Sequence, residues 1–147
     1  MAETPPPEIV ALVKENFEWW NGGEPELMVD SYTEDAELDL SVVFRDMPVM
    51  RGQESIRRQT QEFWSTWEGL TMESLEMIDL GGRRFIVDVR LWGRGKRSGA
   101  EVDQRFAFLY TLHPERNKVV RAQLFPNAQA AIDHTTAAAH PGPSDLV

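Results

Sequence analysis

The chain has no cysteine, which excludes a disulfide framework, a thiol nucleophile and a thiolate metal site. Positive charge is also scarce, with 15 Lys and Arg against 24 Asp and Glu and a net charge of −9. Nucleic acid rewards Lys and Arg through counterion release, so no nucleic-acid partner is expected. An anionic membrane surface is disfavoured for the same reason. No stretch approaches the roughly eighteen apolar residues of a membrane-crossing helix, and the N-terminal region lacks the basic start and unbroken apolar run of a secretory signal. A cytoplasmic location is the expectation. Histidine is sparse too: His113 precedes a proline in a turn, and His134 and His140 lie near the C-terminal end. No ligand pair stands at helical or hairpin spacing, so neither a metal nor a cofactor is expected.

Hydrophobic residues make up 41% and charged residues 27% of the 147 positions, a globular balance. A chain of this length forms one domain and buries roughly 70% of the surface its unfolded form exposes. The expected organisation is a disordered lead-in over 1–7, one domain over 8–139 and a flexible tail over 140–147. The prolines at 5 to 7 stop any helix from starting earlier, and Pro141-Gly142-Pro143 opens the tail.

Ile9, Leu12, Val13, Phe17 and Trp20 recur at helical spacing and predict a first helix that stops at Asn21-Gly22-Gly23. Asn16 sits inside that apolar stripe. A short helix follows from Pro25 to about Tyr32, and Ala36 to Val43 alternates as a strand. Ile56, Thr60, Phe63 and Trp67 predict a third helix reaching about Glu68. Four strands then read as an antiparallel meander: 70–80, 83–92, 101–112 and 119–125, divided by Gly81-Gly82, the 93–99 turn and the 113–117 turn. Asn127 is placed to cap a short Ala-rich helix. Helices gathered before a meander mark an α+β fold.

The strand at 83–92 poses the functional question. Phe85, Val87, Val89 and Leu91 face one way; Arg84, Ile86, Asp88, Arg90 and Trp92 face the other. If the apolar row is the core, Asp88 and Arg90 are surface groups. If it is a subunit contact, the charged row lines a pocket.

The helix ending Asn21-Gly22-Gly23-Glu24, the Tyr32-Thr33-Glu34-Asp35-Ala36 approach to a strand, Arg51-Gly52 opening a helix, the Gly93-Arg94-Gly95 turn with Ser98-Gly99, and the Lys118-Val119-Val120-Arg121 strand ending at Phe125 together resemble the SnoaL-like branch of the nuclear transport factor 2-like superfamily. The resemblance covers residues 8–133. It implies a cone of curved, mixed but largely antiparallel sheet with three N-terminal helices on its concave face and a pocket between them. It also implies a homodimer through the outer sheet face. Function is left wide open, since the fold hosts isomerases, cyclases, epoxide hydrolases, dehydratases and non-catalytic modules.

Carried over without gaps, the resemblance puts the general base of ketosteroid isomerases on Leu40, their phenolic donor on Asn16 and, by a looser alignment, their protonated acid on Phe108. Leucine moves no proton and phenylalanine donates to no enolate, so that mechanism is excluded. The water-activating Asp of limonene-epoxide hydrolases and the cyclase base match Gln123, the hydrolase Arg matches Ile86, and its partner Asp matches Asp88. The same alignment implies that Asp88, Arg90, Arg121, Gln123, Gln104, Phe106, Phe108, Tyr110 and Phe125 face the concave side, and that Phe85, Val87, Val89 and Leu91 form the outer contact.

Two functions follow as expectations. One is a cofactor-independent isomerase, cyclase or dehydratase acting on a largely apolar or aromatic oxygenated small molecule, with Asp88 as acid or base and Arg90, Arg121 and Gln123 polarising the substrate. The other is a non-catalytic binding or dimerisation module in which Asp88 pairs with Arg90 or Arg121. Asn16, Trp20, Leu40, Phe63, Trp67 and Trp92 are candidates for the pocket wall, although aromatic stripes at helical spacing commonly build cores. Trp19 and Trp64 are expected to point elsewhere, to a rim or a subunit contact.

Overall fold

A computed structural model describes residues 4–22 and 24–139. The expected tail at 140–147 lies outside the described residues. In chain order the elements are α1 (Pro7–Gly22), α2 (Pro25–Val29), β1 (Tyr32–Asp39), β2 (Met50–Arg51), α3 (Gln53–Ser65), β3 (Trp67–Gly81), β4 (Arg84–Gly95), β5 (Glu101–Leu112), β6 (Val119–Phe125) and α4 (Ala128–Ala139). The strands form one sheet in the order β2-β1-β6-β5-β4-β3. β1 runs parallel to β6 and the other pairs are antiparallel.

Local chemistry sets several boundaries. α1 opens on Pro7, whose missing N–H is no loss in a first turn, and the Pro6 carbonyl accepts from the amides of Ile9 and Val10 at 3.0 and 3.1 Å. β1 starts at Tyr32 and stops at Asp39, earlier than its alternation suggests, because the Asp39 carboxylate accepts the Ser41 N–H at 2.9 Å and turns the chain. The two residues of β2, which pair with Glu37 and Leu38, are too few to show an alternation. β3 follows α3 almost at once, three residues before its predicted start. Between β3 and β4, Gly82 and Arg83 both hold positive φ, at 64° and 60°, as a two-residue hairpin turn of twist-matched hand requires. Arg83 is anchored there by donating to the carbonyls of His113 and Arg116 and to Asn117 Oδ1 at 2.7–2.9 Å, which ties this turn to the next one.

The main core lies between the helices and one sheet face. Ile9, Val13, Phe17 and Trp20 of α1, Met28 and Val29 of α2 and Ile56 of α3 pack with Phe85, Val87, Val89 and Leu91 of β4 and with Phe106, Phe108 and Tyr110 of β5. The four β4 residues are 0–4% exposed. The apolar row therefore faces the helices rather than a second subunit, the reverse of what the resemblance implies. Register supplies the physical reason. Directly opposed antiparallel residues share a face, and Phe108 stands opposite Val87 and Leu124. The implied arrangement needs Phe108 opposite Asp88, and a slip of one residue exchanges the faces of a whole strand.

The other face carries a smaller core in which Ile86, Ala107, Leu109 and Phe125 pack against Ala131 of α4. Asn127 caps this helix as expected, its Oδ1 accepting the Ala130 N–H at 2.8 Å. At the opposite edge, Asn21 at the end of α1 uses its side-chain amide as a strand would: Nδ2 donates to the Met72 carbonyl and Oδ1 accepts the Met72 N–H, both at 2.8 Å.

Candidate ligand chamber

Between the helices and the sheet lies an enclosed cavity of about 10 Å³, room for one water-sized sphere. α1 contributes Trp20, α3 contributes Phe63 and Trp64, and the segment after β1 contributes Leu40 and Phe44. The sheet closes it with Met72, Val89, Leu91, Phe106, Phe108 and Leu124. None of these side chains is ionisable. Phe44 stands 5.4 Å from Phe63 and 6.0 Å from Phe106, ring centre to ring centre, and these contacts shut the chamber. Beyond Phe44 and Phe63 an open vestibule of about 460 Å³ is bordered by Arg45, Asp46, Met47, Gln59 and Glu62.

A family profile described as the SnoaL-like domain matches residues 13–122, about three quarters of the chain. The chain belongs to the SnoaL-like family. Curated protein sequences include no match to it. Among solved structures, the SnoaL-like chain is similar to a putative SnoaL-like polyketide cyclase from Jannaschia sp. CCS1, with 18% identity, 95% of this chain and 99% of that one covered, and a TM-score of 0.69. It is similar to the epoxide hydrolase/cyclase-like enzyme SalBIII of pyran ring formation in salinomycin, with 19% identity, 83% and 92% covered, and a TM-score of 0.68. A ketosteroid isomerase-like fold protein from Catenulispora acidiphila, solved with trimethylamine, shares 15% identity over 90% and 95% of the two chains, with a TM-score of 0.69. Identities this low establish the fold alone, which is the nuclear transport factor 2-like α+β fold.

The SnoaL-like chamber gathers five of the sequence-derived wall residues: Trp20, Leu40, Phe63, Phe106 and Phe108. Trp67 stands behind Phe63 at 6.1 Å, and Tyr110 stacks on Phe108 at 5.3 Å, buried beneath the chamber floor. Asn16 is buried and engaged through its amide nitrogen alone: Nδ2 donates to Ser31 Oγ at 2.7 Å and to the Met28 carbonyl at 3.3 Å, which locks α1 to the end of α2, while Oδ1 has no partner among the described residues. Gln104 has inner-face parity, opposite Leu91, but is exposed near the start of β5.

The remaining candidates lie on the other face. Asp88, Arg90, Arg121, Gln123 and Phe125 all belong to the strand parity that faces away from α1 and α3. Asp88 borders an open groove with Arg105, Asn127 and Gln129, and its carboxylate lies 3.8 Å from Arg105. Arg90 donates twice to Asp103, at 2.9 Å each, and its guanidinium sits 4.4 Å over the ring of Trp92. Arg121 lies 3.6 Å from Glu37. The expected pairing of Asp88 with Arg90 or Arg121 is thus replaced by three separate cross-strand pairs. The hydrogen bond from Arg90 holds the Asp103 carboxyl below its ordinary range.

Phe44, Trp64, Met72, Val89, Leu91 and Leu124 escaped the sequence reading as wall residues. Trp64 lines the chamber and packs edge-on against Trp20 at 4.7 Å, not at a subunit contact. Cross-strand parity, propagated from Phe108, was the signal that marks Val89, Leu91 and Leu124. Phe44, in an irregular segment, had none.

Proposed function

We propose that this SnoaL-like protein binds a largely apolar, oxygenated small molecule in the chamber between α1, α3 and the inner sheet face. The observation that carries the reading is the wall itself, eleven apolar or aromatic side chains from three helix-side segments and four strands with no ionisable group among them. Such a wall supplies binding energy through buried apolar area but neither moves a proton nor stabilises an anion through a charged group. Binding is therefore favoured over acid–base catalysis, and Asp88, Arg90, Arg121 and Gln123 are given no part in ligand contact. Occupation requires Phe44 and Phe63 to part toward the vestibule, since the closed cavity is smaller than any organic ligand of this class.

The test is a thermal-shift screen of steroid, terpenoid and aromatic ketones. A ligand at one hundred times its dissociation constant stabilises by about 2.7 kcal/mol. Val89→Phe, which fills the chamber, is expected to abolish the shift, and Asp88→Asn to preserve it. A shift that survives Val89→Phe and vanishes with Asp88→Asn would move the site to the outer face.

A further inference from the structure

In and beside the helix layer the protein leaves several buried hydrogen-bond donors unanswered. Trp20 Nε1, Trp64 Nε1, Trp67 Nε1 and Thr60 Oγ1 are all shut off from solvent without a partner among the described residues. An indole N–H donates only, so it is answered by an acceptor and by nothing else, and burying such a group unpaired is costly. Three of these four donors come from side chains lining one slot of about 50 Å³, bounded by Trp19 and Trp20 of α1, Met28 of α2, and Thr60 and Trp64 of α3. Trp20 and Trp64 line the chamber as well, so their packed rings form the partition between slot and chamber. Trp20 and Thr60 are 5% and 6% exposed, so bulk solvent reaches these side chains poorly.

We propose that this slot is the acceptor subsite of the chamber. It takes a neutral carbonyl or ether oxygen, met by the indole N–H groups of Trp20 and Trp64 beside the Thr60 hydroxyl, while the ligand's apolar body displaces Phe44, parts the Trp20–Trp64 contact and fills the chamber. The charge of the ligand follows from the neighbours. The donors present the positive ends of their N–H and O–H dipoles, which disfavours a cation. Glu24 borders the slot with a carboxylate and no Lys or Arg lines it, which disfavours an anion. A ketone, lactone or quinone satisfies both conditions. This inference rests on the chamber reading and narrows it to a ligand class.

The experiment measures dissociation constants of the full chain by ligand-observed NMR for α-tetralone, tetralin, tetralin carboxylate and tetramethylammonium. These are one bicyclic body with a neutral acceptor, with none and with a charged one, plus a compact cation. α-Tetralone is expected to bind about tenfold more tightly than tetralin, the worth of one to two good hydrogen bonds. Thr60→Val is expected to shrink that preference to about threefold or less while tetralin affinity stays within about twofold, and Trp64→Phe to shrink it as far while also weakening tetralin, because Trp64 lines the chamber. Thr60→Val preserves shape, so the result stands even if Trp64→Phe repacks. Equal binding of tetralone and tetralin, or an undiminished preference in both variants, overturns the subsite and leaves the chamber standing. Tighter binding of the carboxylate or of tetramethylammonium overturns the neutral-acceptor assignment. If none of the bicyclic probes binds, the chamber reading itself fails, and the subsite fails with it.

Discussion

The two faces of β4 come from one twelve-residue strand and meet opposite environments. On the inner face, Phe85, Val87, Val89 and Leu91 are sealed under α1, α2 and α3. On the outer face, Ile86 is just as buried beneath α4, but Asp88, Arg90 and Trp92 are partly exposed. Where a helix covers the outer face it carries apolar side chains, and where none does it carries cross-strand ion pairs. The comparison teaches that alternation in a strand reports pleat geometry, whereas the covering layer decides what each face is for. Arg90 and Arg105 stand directly opposite each other, a repulsive placement relieved by the diagonal partners Asp103 and Asp88.

The largest expected contrast sets truncations on the two faces side by side. Phe108→Ala removes a ring that is 1% exposed and stacked on Tyr110, and is expected to cost about 3–5 kcal/mol in chemical denaturation. Asp88→Ala is expected to cost less than about 1 kcal/mol, because its arginine partner is mostly solvated. Equal losses at the two sites would break the comparison. A middle-sized effect concerns pH. Burial pushes the Tyr32 and Tyr110 phenols above their ordinary value of 10.0. The folded state therefore keeps these protons when the unfolded state releases them, so stability held below about pH 10 is lost as pH rises past it. Tyr32→Phe removes a buried hydroxyl that has no partner, so urea melts are expected to show a gain of up to about 1 kcal/mol and a flatter alkaline limb. The smallest effect is at Asp103, whose carboxyl is held below its ordinary value of 3.8 by Arg90. Its contribution is present above that pH and lost as pH falls through the folded value. Asp103→Asn should therefore lower neutral-pH stability only slightly, since both partners are exposed, and leave stability unchanged at pH values below the folded value.

The fold was largely legible. Helical spacing in Ile9, Val13, Phe17 and Trp20 and the turn glycines located most elements, because period and punctuation are local properties of sequence. The face assignment was legible as well, in an instructive way: the residues taken alone make Phe85 through Leu91 a core row, and the distant resemblance inverted it. At identities below 20%, bulges such as those between Ser74 and Met77 in β3 shift parity by one. Leu40 and Phe108 nonetheless reach the chamber wall, since Leu40 directly follows β1 and Phe108 lies on β5, where the alignment kept its parity. The chamber's size was not legible, for it depends on how Phe44, in an irregular segment, folds onto Phe63. The unanswered indoles were not legible either, because a tryptophan's partner is a property of tertiary packing.

The paired hydrogen bonds of Asn21 with Met72 have a consequence for behaviour in a crowded solution. β3 is a long edge strand, and such an edge offers its free amides and carbonyls as a template to any extended chain nearby. The opposite edge is blunted by brevity, β2 being two residues long. On β3 a helix terminus lays one side-chain amide along the strand and occupies the slot where an intruding strand would begin to pair. Asn21 thus acts as a chain terminator for sheet growth, and its worth is to be sought in shelf life and aggregation lag rather than in the melting temperature.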